Sequence, residues 1–300
     1  MKIVSLIPSA TEIVYALGLG ESLAGVTFEC DYPPDARTKA VVSGTALPTE
    51  APLTAREIDD AVTARVADGE AIYTLDAERI RDIQPDLILA QDLCRVCAVP
   101  SGAVEDALDV LGCRAEVVSL DPTTLDDVID CVTVVGDATG TTERASTVAS
   151  RLHARLEAVR GAVVQHHRPR TLALEWSDPP FSGGHWVPDM IEAAGGVPVL
   201  ARTGERSRRL EWREVADADV EVAVFMPCGY DVERAAVEGR GLLGTPALSA
   251  CVRLFATDAN ALFSRPGPRV VDGVEALAWM LHPRAVPAPP PGAVVGLRSA

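Results

Sequence analysis

Apolar and polar residues divide this chain into alternating strand and helix patterns. Leu87-Ile88-Leu89-Ala90 is an unbroken apolar run between Pro85-Asp86 and Gln91-Asp92. A short continuous run of this kind predicts a strand buried on both faces, as in the middle of a parallel sheet. Met1 to Pro8, Leu23 to Val26 and Ala115 to Leu120 read as further strands. Between them the period lengthens. Ser9-Ala10-Thr11-Glu12 reads as a capping box, and its helix is expected to bury Ile13, Ala16 and Leu17 and to stop at Gly18. Helical patterns recur near Glu57 to Val66, at Asp76 to Ile83, at Ser101 to Leu111 ahead of Gly112, and at Leu125 to Val135. The rest of 43–80 is polar and less regular.

From Thr141 to Val164 the apolar positions Ala145, Val148, Leu152, Leu156, Val159 and Val163 step by three or four, which makes one stripe along a long helix. Gly140 precedes it, and His166-His167-Arg168-Pro169-Arg170 ends it. The alternation then restarts: strands at Thr171 to Leu174, Glu221 to Met226 and Val252 to Thr257, helices at Asp189 to Ala194 and Gly273 to Leu281. The pattern predicts an α/β protein of two lobes with parallel-type sheets, joined by a single long helix, with a ligand cleft between the lobes. The expected division is an N-terminal lobe over 1–140, a connecting helix over 141–165, a C-terminal lobe over 166–284 and a Pro-rich tail over 285–300. That tail, with its prolines between Ala285 and Gly292, is expected to pass from order to disorder.

Three hundred residues, 48% of them apolar and 23% charged, are enough chain for two ordinary cores. The net charge of −16 argues against nucleic acid and anionic membranes as partners, since both select clustered Lys and Arg. Lys2 and Lys39 are the only lysines. Such an acid-rich, lysine-poor chain fits a high-salt cytoplasm, and a GC-rich genome gives the same Arg bias. No secretory signal is visible and no apolar run approaches the ~20 residues that span a bilayer. With Met1 as the native start, the expected location is cytoplasmic, with cysteines as thiols or metal ligands.

The candidate chemistry gathers at strand exits, the edge that forms the ligand crevice of an open parallel sheet. Cys30, Cys94, Cys97 and Cys228 all follow strand ends, whereas Cys113, Cys131 and Cys251 fall where buried small hydrophobes are expected. The four exit cysteines read as pocket-lining thiols, as a thiolate site for zinc or an iron–sulfur cluster built on the Cys94/Cys97 pair, or as a redox pair. His185 lies in a Gly-rich loop ahead of a helix, a position for either a loop hydrogen bond or ligand contact. Phe28, Tyr32, Trp176, Phe181, Trp186 and Tyr230 also fall in exit loops, where flat apolar rings suit a large planar ligand.

Ser5-Leu6-Ile7-Pro8-Ser9-Ala10-Thr11-Glu12, Asp31-Tyr32-Pro33-Pro34, Pro85-Asp86-Leu87-Ile88, Pro179-Pro180-Phe181-Ser182-Gly183 and Gly195-Gly196 resemble the cobalamin- and iron-siderophore-binding proteins of ABC importers. The likeness covers about residues 1–283 and is nearest the cobalamin-binding branch. It implies two lobes, a single bridging helix, a ligand held between them, and Tyr32 with the Phe181 to Trp186 loop facing a corrinoid or other metal chelate. It also implies docking to an ABC permease and a periplasmic or extracellular location. The leading expectation is therefore a monomeric, non-enzymatic binding protein for a cobalamin-like corrinoid or metal chelate, serving an importer or acting as a cytosolic carrier. The alternative is a cytosolic metal or iron–sulfur protein using Cys30, Cys94, Cys97 and Cys228. No Gly-x-Ser-x-Gly elbow, His-Glu-x-x-His or phosphate-binding Gly-Lys-Ser/Thr loop occurs.

Overall fold

The computed structural model describes residues 1–48, 53–68, 70–92 and 114–298, and among these it holds ten α-helices and twelve strands in two sheets. The chain forms two compact units. Met1–Pro122 with Ile129–Ala149 makes the first, and Thr123–Val128 with Ser150–Ala300 makes the second.

The first unit contains β1 (Ile3–Ser5), α1 (Pro8–Ala16), β2 (Leu23–Thr27), β3 (Ala40–Thr45), α2 (Ala55–Ala67), β4 (Tyr73–Leu75), α3 (Ala77–Ile83), β5 (Leu87–Ala90) and β6 (Glu116–Ser119). Its sheet runs β4-β3-β2-β1-β5-β6, parallel throughout except for β4, which lies antiparallel to β3 at the edge. Leu87 to Ala90 is buried at every position, as its unbroken apolar run requires. One face of this sheet packs Val4, Leu6, Val42, Ile80, Ile88 and Ala90 into a core. Helix α1 departs from the expected capping box. Its N-cap is Ile7, with no side-chain cap, and Pro8 occupies the first turn, where a missing amide hydrogen costs nothing. Ser9 is thereby inside the helix and buried, Ala16 faces outward, and Val14 joins Ile13 and Leu17 in the core.

Two helices carry the chain onward, α4 (Leu125–Ala138) and α5 (Thr142–Val163). The stripe Ala145, Val148, Leu152, Leu156, Val159 and Val163 is buried along its whole length. The division between the units falls inside α5, after Ala149.

The second unit contains β7 (Arg170–Ser177), β8 (Pro180–Ser182), α6 (Val187–Ala193), β9 (Val197–Pro198), α7 (Trp212–Asp217), β10 (Val222–Phe225), α8 (Val232–Leu242), β11 (Arg253–Thr257), α9 (Ala259–Leu262), α10 (Val270–Leu281) and β12 (Val294–Arg298). β7, β10 and β11 are parallel, in the register Thr171↔Val222 and Val224↔Phe255. Arg155 of α5 grips α10: its Nε is 2.9 Å from Glu275 Oε1, and its Nη2 lies 2.5 Å from Asp272 Oδ1 and 2.7 Å from Glu275 Oε2. The end of the chain differs from expectation. Val294–Arg298 is a strand, antiparallel to β11, and Arg298 Nη1 donates to the carbonyls of Leu248 (2.6 Å) and Cys251 (3.0 Å). Five residues past the prolines are enough to cover an otherwise open sheet edge.

Candidate functional site

In the second unit, β7 outruns its sheet. Its last pairing with β10 is Leu174↔Phe225, so Glu175, Trp176 and Ser177 project beyond the carboxyl edge. There they pair antiparallel with β8, Trp176 against Phe181 and Ser177 against Pro180. A further segment completes the overhang. Ser182 N donates to Arg208 O (3.0 Å), Leu210 N donates to Pro180 O (2.7 Å), and Phe181 bridges Arg209 in antiparallel fashion. The overhang thus stands at the strand ends where a parallel sheet presents its ligands.

Trp176 is half-buried and held from behind. Its ring meets Tyr230 edge-on, with centroids 5.5 Å apart and planes at 67°. Tyr230 is 1% exposed, Arg234 sits 3.8 Å over its ring, and Arg234 Nη2 is 3.1 Å from its hydroxyl oxygen. Burial, then the Glu238 carboxylate, pushes the Tyr230 phenol up to about 12. Ser177 Oγ donates to the same Glu238. Tyr230, expected at the ligand, is therefore a buried prop for Trp176.

The loop after β8 is clamped to the Arg-rich segment. Ser207 Oγ and the Gly184 amide both donate to Glu175, His185 N donates to Glu205 O (2.6 Å), and Gly204 N donates to His185 O (3.0 Å). His185 adopts φ 52°, in the left-handed region, and its ring stacks on Trp186 at 5.7 Å. Burial, with the Arg206 charge, lowers its pKa below the ordinary imidazole range. His185 Nε2 is buried without a hydrogen-bond partner among the described residues. Trp186 is 7% exposed, and its Nε1 donates to Phe263 O at 2.9 Å, so it anchors the start of α6 by packing. Of the ring residues named from the sequence in this unit, Trp176 and Phe181 remain partly open and share one face.

In the first unit, Phe28 and Tyr32 follow β2 and are 43% and 46% exposed, with the Phe28 ring 6.2 Å from Tyr73. Cys30 lies between them in sequence but points inward. It is buried, with its sulfur 3.1 Å from Thr11 Oγ1. Cys228 is exposed, Cys131 and Cys251 are buried as expected, and Cys94, Cys97 and Cys113 lie outside the described residues. Among the described residues, no group of three or more His, Cys, Asp or Glu side chains is placed to hold a metal ion. A concavity of about 660 Å³ opens beside α6, lined by Leu125, Arg160, Val163, Arg168, Asp189 and Gly195. Sequence reasoning did not single out the arginines of residues 202–209, because an exposed loop of arginines carries no apolar period. A visible signal was the local excess of Arg in an acidic chain.

The family model of the periplasmic binding proteins matches residues 3–250. The chain belongs to that family. A vitamin B12-binding protein of Vibrio cholerae is 26% identical over 287 residues, 93% of this chain and 88% of the relative. An uncharacterized ABC transporter substrate-binding lipoprotein of Bacillus subtilis is 24% identical over 294 residues, 94% of this chain and 80% of the relative. The fold matches the periplasmic heme-binding protein of Roseiflexus sp. RS-1 with a TM-score of 0.69 at 24% identity, over 95% of this chain and 98% of that one. These likenesses support the two-lobed α/β binding-protein reading. The relatives are binding proteins described as periplasmic or as a lipoprotein, so the cytoplasmic expectation finds no support among them. Neither zinc nor an iron–sulfur cluster finds support.

Proposed function

We propose that the protein is the substrate-binding component of an ABC importer, and that its ligand is a planar metal chelate of the corrinoid or tetrapyrrole kind. Family membership and the functions of the relatives support the binding role, a permease partner and a location outside the cytoplasmic membrane. The observation that carries the ligand class is the paired Trp176 and Phe181 on the overhang, a flat apolar surface braced by Tyr230. His185 supports the overhang through its backbone bonds to Glu205 and Gly204.

The test is calorimetric titration of the purified protein with cyanocobalamin, dicyanocobinamide and haemin. The reading expects saturable one-to-one binding of at least one of them, with Kd of about micromolar or tighter, which corresponds to roughly −8 kcal/mol. Loss of that binding in Trp176→Ala, in a protein that still folds, supports the site. Absence of binding to all three contradicts the ligand class.

A further inference from the structure

In a chain of net charge −16, Arg202, Arg206, Arg208 and Arg209 crowd into eight residues with Glu205 as the one acid among them. The segment closes the overhang, and its bridge to β8 fixes where one of these charges emerges. Directly opposed residues of an antiparallel pair project from the same face. Trp176 opposes Phe181, and Phe181 opposes Arg209. Two rings and a guanidinium therefore form one row across three adjacent segments, a span of about 10 Å at the usual strand spacing. That is the scale of a macrocycle edge and not of a small ion.

The other arginines differ in their engagements. Arg208 is committed to Glu214 at 3.0 Å, and Arg202 leans on Glu205 at 3.9 Å. Among the described residues, no carboxylate stands within ion-pair distance of Arg209, which is exposed at the end of the ring row. A guanidinium presents a planar fork matched to carboxylate oxygens, and it stacks on rings as an ammonium does not.

We infer that the protein selects chelates bearing free carboxylates at the ring edge, with Trp176 and Phe181 against the ring and Arg209 on the carboxylates. This rests on the chelate reading of the overhang. An amidated corrinoid offers the same ring without the charges, so charge recognition and ring recognition separate cleanly.

The experiment titrates the full chain with dicyanocobyrinic acid, whose peripheral groups are carboxylates, and with dicyanocobinamide, whose peripheral groups are amides. At low salt the acid is expected to bind about tenfold tighter or more, the effect of one hydrogen bond to a charged group. That advantage is expected to shrink as salt rises and screens the exposed pair. Arg209→Gln, which keeps its backbone bridge and is expected to unfold at the wild-type midpoint, should remove most of the advantage by lowering dicyanocobyrinic acid affinity far more than dicyanocobinamide affinity. Equal affinities for the two corrinoids, or an acid preference that survives Arg209→Gln, overturns the inference and leaves the chelate reading standing. Failure of both corrinoids and of haemin to bind overturns both.

Discussion

Gly184→Ala tests the clamp between the hairpin loop and the arginine segment. A Cβ built on Gly184 would lie 2.2 Å from Ser207 N, 2.7 Å from Arg206 C and 2.8 Å from Ser207 Cα. All three are backbone atoms, so no side-chain rotation relieves the overlap, and residues 204–209 must retreat by about 1 Å to reach ordinary contact. That retreat stretches His185 N–Glu205 O, Gly204 N–His185 O and Ser182 N–Arg208 O together. Overpacking costs about 1–3 kcal/mol, and weakening two or three hydrogen bonds adds roughly 1 kcal/mol. A total of about 3 kcal/mol lowers the urea midpoint by about 1.5 M for a slope near 2 kcal/mol/M. Far-UV circular dichroism reads the midpoint, and calorimetry reads chelate affinity, which should fall because the Phe181–Arg209 bridge moves. Gly204→Ala is the control, since its Cβ meets nothing within 4 Å and pays only for φ +77°, a strain of about 1 kcal/mol. A Gly184→Ala protein with the wild-type midpoint and wild-type affinity would refute the close contact and the clamp built on it.

Gly161→Ala, in the last turns of α5 with open space around it, should raise stability by about 0.5–1 kcal/mol; an unchanged urea midpoint would mean that this stretch is not helical in solution. Arg155→Met should cost about 1 kcal/mol, because the partly exposed guanidinium holds two carboxylates of α10 but remains screened by solvent. A double-mutant cycle with Glu275→Gln checks this, and zero coupling denies the grip. Stability should also fall as pH drops through about 6.5, because burial lowers the His282 pKa, with His166, Arg253 and His167 adding to it against the Gly195 carbonyl. The unfolded chain takes up a proton there that the folded one refuses, so the contribution is complete above that pH and is lost on acidification. His185 acts in the same sense, so His282→Gln should flatten the pH 5–7 slope only in part, and a slope identical to wild type would contradict the assignment.

Much of the architecture was legible because burial on both faces leaves a simple trace. Leu87 to Ala90 and the α5 stripe were read correctly from apolar spacing alone, and both are buried as the spacing demands. Short edge strands leave no such trace. β8 is three residues beginning at a proline, and β12 follows a Pro-rich stretch, so local composition argued against each while sheet edges recruited both. The ring residues were found as a set but not by role. Position past a strand end cannot separate Trp176, which stays partly open, from Tyr230, which the Arg234 and Glu238 side chains help to seal. Cys30 shows the same limit, since its exit-loop position concealed an inward turn toward Thr11. Arg209 was invisible because its meaning comes from a bridge to a residue 28 positions earlier.

Hydrogen–deuterium exchange with and without a saturating chelate measures the location of the site directly. If the overhang is the binding face, protection should concentrate in peptides covering 174–186 and 203–210. Protection confined instead to 124–126, 160–168 and 189–195, which line the concavity beside α6, would contradict the account and move the ligand there.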